Sequence, residues 1–343
     1  MMTNRAVRHC SRAFKFIGGH PSPCSRFSSC DSISQRSGLQ HESRRFCSVA
    51  TREVDRTESD LGLISRRGHR FTNEDAVLAV TTQKYVAAAV LDGHGGAAVA
   101  DFAAERLAQL LQEDVVVEKP KTSAAPIDLA SSALGRTEEA VRHEISMAAR
   151  TTGATATLVV VDQAEIAVAW LGDSDAVLCK RDGSSGASGS DSCPLAVQRM
   201  TLPHRPERPS ERQRIEADGG SVHRHSRALP NGSGFQFGPY RAYTAFGSGG
   251  LAVSRALGDL AMRPVVCGEP ESARWSRDPV HDLFVIVASD GVWDVFTPED
   301  AAAFVWDNGN GMVCPAEASK RLVDEAIARG SQDNASAAVV RLT

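Results

Sequence analysis

Only three residues, Asp162-Gln163-Ala164, separate the apolar run 156–161 (ATLVVV) from the apolar run 165–171 (EIAVAWL). Both runs are short and rich in β-branched residues, so they read as strands. Parallel neighbours would need a crossover of about a dozen residues or more, whereas a connector this short permits only an antiparallel hairpin. Further strands are expected at 76–80, 85–91, 283–288 and 336–342, with helices at 97–111, 134–149, 210–218, 298–305 and 315–329. Several helices carry end signals. Ser210 with Gln213 reads as a capping box, Thr297-Pro298 and Pro315 as starts, and Gly219 and Gly330 as stops. Hairpins together with grouped helices point to an antiparallel α+β architecture rather than a doubly wound parallel sheet. The stretches 183–192 and 230–250, rich in Gly and Ser, read as low-complexity surface loops.

The chain has 343 residues and a net charge of −4, so no global charge points to nucleic acid or a membrane surface. Its 8 cysteines include no CxxC pair, which argues against a disulfide framework and for a reducing compartment. No apolar run approaches the ~20 residues of a membrane-spanning helix. Arg5, Arg8, Arg12, Lys15 and Arg26 stand in an opening segment that holds no acid before Asp31. Basic, Ser-rich and acid-poor, residues 1–57 are expected to be an organelle transit peptide, mitochondrial ahead of plastid, and 58–343 a single globular domain. Arg45-Phe46-Cys47-Ser48 resembles the pattern near mitochondrial cleavage sites; a cytoplasmic chain with a basic tail is the alternative.

The acids fall where strands stop. Asp92 follows 85–91, Asp173 follows 165–171, Asp290 follows 283–288, Asp333 precedes 336–342, and Glu74-Asp75 precede 76–80. One such acid is an ordinary turn residue. Several brought together need a counter-charge, and oxygen-only ligands select Mg²⁺ or Mn²⁺ over zinc. Alone, Leu91-Asp92-Gly93-His94-Gly95-Gly96 permits a sharp turn, a phosphate-cradling loop or part of a metal site. The phosphate loop is disfavoured because no lysine opens onto the following helix.

Blocks in order along the chain carry a family resemblance: Arg70-Phe71-Thr72-Asn73-Glu74-Asp75, Leu91-Asp92-Gly93-His94-Gly95-Gly96, Thr152-Gly153-Ala154-Thr155-Ala156, Leu171-Gly172-Asp173-Ser174, His204-Arg205-Pro206 with Glu211 and Arg214-Ile215, Leu251 to Asp259, Glu269-Pro270, Ala288 to Asp294, and Asp333-Asn334. The sequence resembles the metal-dependent serine/threonine protein phosphatases of the phosphatase 2C (PPM) type. That resemblance implies an antiparallel β-sandwich flanked by helices on both sides. It implies two Mg²⁺ or Mn²⁺ ions, a weaker third, and hydrolysis of phosphoserine and phosphothreonine by a water activated at the dinuclear centre. By position, Asp92 would bridge both metals and Gly93 would offer its carbonyl. Asp290 and Asp333 would bind one metal, Glu74 the other, and Asp173 a third. Asp75 would order the water, Arg70 would grip the substrate phosphate, and His94 would protonate the leaving oxygen.

The expected partners are phosphoprotein substrates, with no nucleic acid and no membrane span, for a monomeric chain. Three departures stand out. Asp175 occupies the place of the family's arginine after Gly-Asp-Ser, inverting one charge near the cleft; Pro203 replaces an aspartate; and Phe246-Gly247-Ser248-Gly249-Gly250 follows a long insertion. A catalytically inactive scaffold is the competing class, but such relatives typically lose metal carboxylates that are all present here. Leader and domain together resemble the mitochondrial branch, which implies the branched-chain 2-oxoacid dehydrogenase complex as substrate.

Overall fold

Alternation decides which way each strand faces. In Ala76–Thr81, Val77 and Ala79 point to one side and Ala76, Leu78 and Val80 to the other, and both sets are buried. A strand buried on both faces needs a layer on each side. The computed structural model supplies those layers. It describes residues 47–50, 60–116, 125–182, 195–228, 234–247, 250–307, 311–312 and 314–342.

Among the described residues, six strands run in the order 47–50, 76–81, 86–91, 156–161, 165–171, 271–276. Five more run in the order 195–199, 175–181, 282–288, 335–341, 61–66. Every pairing within these two sheets is antiparallel, and the 156–161/165–171 hairpin forms as its connector requires. Between the sheets lie Val77, Val90, Val159 and Val168 against Leu178, Val285, Val287 and Ala338.

Helices α1 (Ala98–Val116) and α2 (Pro126–Glu144) cover the outer face of the first sheet through Leu107, Leu111 and Leu134. On the second sheet, after the short helices α3 (Pro209–Ala217) and α4 (Asp290–Trp293), α5 (Pro298–Val305) and α6 (Pro315–Ala328) pack Ala302, Leu322 and Val323 against Phe284 and Ile286. The fold is therefore the expected α+β sandwich flanked by helices on both sides. Truncating a fully buried side chain such as Leu158 to alanine costs about 2–5 kcal/mol in such a layer.

Several local expectations change. Helix α2 starts at Pro126, not 134, because that proline pre-sets the first helical turn; it ends at Glu144, and 148–150 form a separate 3₁₀ turn. The Ser210–Gln213 capping box does not form. Pro209 occupies the first helical position, so the cap falls on Arg208, whose side chain makes no cap bond. Thr297 does cap α5, accepting from the Asp300 amide, and Gly219 and Gly330 take left-handed φ of 80° and 95° after α3 and α6.

Residues 230–250 are not merely a loop, since they carry the strand Gly234–Tyr243, paired with Ser221–Ala228. The 183–192 stretch lies outside the described residues, as do 1–46 and 51–59 of the expected leader and the start of the domain. Cys47–Ala50, within the span expected as leader, is an edge strand beside Val77–Val80. Among the described residues no helix is long and apolar enough to cross a membrane, and Cys179, Cys267 and Cys314 are free thiols.

Candidate active site

Register gathers the acids at one end of the sandwich. Ala76 pairs with Leu91, so Glu74 and Asp75 enter the sheet beside the exit of Asp92. Ala156 pairs with Leu171, placing Thr155 next to Gly172-Asp173. In the second sheet Ala288 pairs with both Asp175 and Ala337, so Asp290 emerges where the strand after Asp333 begins. Hydroxyls tie the ends together. Ser289 and Ser336 both donate to Asp75 Oδ2, at 3.1 and 2.6 Å, and Thr155 Oγ1 meets Ser174 Oγ at 2.7 Å.

The acids feel one another. Burial, then the charges of Asp75, Asp290, Asp173 and Asp333, hold the Asp92 carboxyl well above the usual range. Asp75 is pushed up to about 7 by burial, against the two serine hydrogen bonds and helped by Asp290 and Asp333. Burial and Asp290 lift Asp173 to about 7, and burial and Asp333 lift Asp290 to about 6. The charges of Asp333 and Asp294 act on Asp290 in the same direction as its burial. Four acids confined this way need positive charge.

Divalent cations fit that need in donor chemistry. Every candidate ligand offers oxygen, and the buried Oδ1 atoms of Asp75 and Asp290 have no hydrogen-bond partner. As placed, no three Asp, Glu, His or Cys side chains among the described residues close around one point. Two expected ligands are engaged elsewhere. Glu74 accepts from the Gly96 amide (3.1 Å) and Thr72 Oγ1 (3.2 Å), and Asp333 accepts from Arg70 Nη2 (2.5 Å) and the Asn334 amide (2.7 Å). Arg70, 54% exposed, also donates from Nε to the Gln332 carbonyl, so the expected phosphate-gripping arginine rests on an expected metal ligand. Gly93 is packed so tightly that a Cβ there would stand 2.3 Å from the Glu74 carbonyl oxygen, which explains its glycine without reference to metal.

Three short strands, Gly93–His94, Gly153–Ala154 and Leu257–Gly258, form a ribbon with Gly153–Ala154 at its centre. It delivers a residue to which the sequence attached no role. His94 Nε2 lies 2.7 Å from Asp259 Oδ2. Asp259 is buried and is the one non-glycine with positive φ (49°) among the described residues, a conformation few side chains adopt without cause. Burial alone would lower the His94 pKa; the Asp259 hydrogen bond and charge, with Asp173 and Glu74, reverse this and raise it. Gly153 makes the room, since a Cβ there would sit 2.1 Å from Asp259 Oδ2 and 2.6 Å from His94 Nε2. The sequence signal was present in Leu257-Gly258-Asp259, but its partner is 165 residues away.

Asn334 is the second residue without an assigned role. Its Nδ2 donates to the Arg67 and Thr72 carbonyls, both at 2.8 Å, and its Oδ1 accepts from the Glu74 amide at 2.9 Å. One side chain thus fixes the loop that carries both Arg70 and Glu74.

Beside Asp173 and Asp290 opens a cleft of about 670 Å³ whose rim includes Asp175, Arg199, Arg205 and Trp293. Asp175 does not project an inverted charge into it. Arg199 pairs with its Oδ2, and Thr201 donates to its Oδ1 at 2.6 Å. Arg205 reaches 4.0 Å from Asp173 Oδ2 and puts positive charge where the expected third-metal ligand stands.

The profile of the Protein phosphatase 2C family matches residues 59–335. Protein phosphatase 2C 56 of Arabidopsis thaliana is 34% identical over 279 residues, which cover 74% of this chain and 57% of that protein. The chain thus spans little more than half the length of this relative. Protein phosphatase 1K, mitochondrial, of Xenopus laevis is 30% identical over 288 residues, covering 82% of this chain and 68% of that one. Among solved structures, a sex-determining protein of C. elegans superposes with a TM-score of 0.66 at 26% identity, over 84% of this chain and 65% of the other.

Proposed function

The chain belongs to the protein phosphatase 2C family, and on that footing we propose that it hydrolyses phosphoserine and phosphothreonine in proteins, at two Mg²⁺ or Mn²⁺ ions held by the acidic end of the sandwich. The observation that carries this is the convergence of buried Asp75 with half-buried Asp92, Asp173 and Asp290, mutually repelling, with orphaned oxygens on two of them. Asp92, the Gly93 carbonyl, Asp290, Asp333 and Glu74 would hold the pair, with Asp173 available to a third cation. When bound, such cations lower the pKa of water and offset charge on phosphoryl oxygens.

The chain's own groups do the rest. Asp75, with Oδ2 fixed by two serines, keeps Oδ1 free to accept a proton from water and orient it. Arg70 offers a planar fork suited to phosphate oxygens, and its present carboxylate partner shows that it already holds that kind of anion. Asp259 holds Nε2–H of His94, so protonated His94 presents Nδ1–H to the departing serine or threonine oxygen.

Phosphate release from a phosphothreonine peptide tests this. Turnover should require Mn²⁺ or Mg²⁺, stop with chelator and return with added metal. Folded protein without turnover, or turnover indifferent to chelator, would overturn it.

The Xenopus relative's name supports a mitochondrial address with residues 1–57 as the leader of a 58–343 domain, tested by fusing 1–57 to a fluorescent reporter. The branched-chain 2-oxoacid dehydrogenase complex is the proposed substrate there. Its dephosphorylation should outpace that of generic phosphopeptides.

A further inference from the structure

The chain as a whole is acidic, at −4, yet residues 219–250 hold no Asp or Glu. They carry Arg224, Arg227 and Arg241, and two histidines besides. Within this stretch Ser221–Ala228 and Gly234–Tyr243 form a two-stranded sheet of their own. Its base is anchored. Val222 and Ala242 pack with Ile215 and Val265, and Ala242 bridges to Leu251. Its outer part, 225–227 with 234–239, is exposed on both faces.

Register sorts those faces. His225 stands opposite Phe237 and Arg227 opposite Phe235, all on one side, with Ser226 and Gln236 on the other. Phe235 and Phe237 are 47% and 44% exposed. Their rings lie 5.8 Å apart, and Phe237 lies 5.7 Å from His225. An isolated ribbon is marginal in water, and open edges with exposed aromatics invite a further strand.

We propose that this ribbon is a docking arm for an extended, acidic segment of the phosphoprotein substrate, seated on the His225/Phe235/Phe237 face beside Arg227. The proposal rests on the phosphatase reading above. Charge selects the occupant, because the outer ribbon carries Arg227 and no acid of its own, which favours carboxylates there. The open strand edges favour a polypeptide, whose backbone matches them, over a nucleic acid. The arm is also wired to the site. From Leu251 the chain runs to Leu257–Gly258, which pairs with the strand beside His94, and then to Asp259, which holds His94.

The test compares a phosphothreonine peptide flanked by alternating Glu and Val with the same peptide carrying Gln for Glu, and with p-nitrophenyl phosphate. The native protein should prefer the Glu peptide by about tenfold in kcat/KM, through KM. Arg227→Glu, and separately Phe235→Ser with Phe237→Ser, should erase that preference while leaving aryl phosphate turnover unchanged. No preference, or one that survives in both variants, overturns the arm. Anisotropy of a labelled, unphosphorylated Glu-Val peptide separates the two readings. Binding that is lost in the variants upholds the arm even in a protein without turnover. Binding of single-stranded RNA in place of the peptide overturns it.

Discussion

Asp259→Asn removes one charge and keeps nearly everything else. Asparagine tolerates the left-handed backbone at φ 49° as well as aspartate does, and the amide bond to the Thr152 carbonyl, 3.0 Å, is untouched. The new amide still reaches His94 Nε2. What is lost is the strongest of the contributions that raise the His94 pKa, namely the hydrogen bond and charge of Asp259. Burial then weighs more heavily against Asp173 and Glu74, so the imidazole holds its proton less readily and is a poorer acid source for an alkoxide. A positioned general acid is worth about 10²–10⁴ in rate. We therefore expect kcat on a phosphothreonine peptide to fall about a hundredfold, near the low end because the ring remains in place. With p-nitrophenyl phosphate, whose phenolate leaves without a proton, kcat should stay within about threefold.

The pH dependence follows with a definite sign. His94 must be protonated to act, so losing Asp259 moves the alkaline limb of kcat to lower pH. Its raised native pKa stabilises the fold most below about 6.5, the unfolded value, and that contribution fades as pH rises through the native pKa. The melting difference between native and variant protein should accordingly be widest in mild acid and narrow with rising pH. Equal losses on both substrates, with an unmoved alkaline limb, would refute the role given to Asp259.

Asp92→Asn should nearly abolish turnover and metal uptake, yet raise the melting temperature of metal-free protein by about 2–4 °C, because one of several repelling buried acids is gone. Turnover, metal analysis and calorimetry read the three effects. Gly153→Ala drives a methyl into the His94–Asp259 pair, so it should reproduce the selective loss on phosphothreonine and add about 1–3 kcal/mol of destabilisation by denaturant melt. Glu211 is a structural counterpart. Burial alone would raise its pKa, but the hydrogen bonds and charge of Arg255, with Arg214 donating as well, bring it down to about 2. Its contribution is present above about 4.5 and lost as pH falls toward 2, so Glu211→Gln should cost about 3 kcal/mol at neutral pH and flatten stability across that acid window.

What could be read from the sequence was whatever local pattern fixes. Short apolar runs rich in β-branched residues, such as 283–288, read as strands buried on both faces, which puts the acids after them at strand ends. Weak patterns hid the rest. Glu271–Ser276 alternates, with Ala273 and Trp275 packing inward between exposed neighbours, and Asp175–Arg181 begins on an acid that looks like a turn. Asp259 and Asn334 lay inside quoted blocks without roles because their work is done by contacts 165 and 260 residues away.

Asp175 shows the same thing from the opposite side. Read alone, it inverts a charge beside the cleft. In the sheet, Arg199 stands opposite Val177, so Asp175, two residues along the strand, shares its face and takes its guanidinium. A substitution of charge at one position thus carries its consequence only together with the residue that register sets beside it. The acid is neutralised where it stands, and the cation left facing Asp173 is Arg205, from the loop rather than from the strand. The charge beside Asp173 is thus set by the segment that carries Arg205 and not by the strand that begins at Asp175.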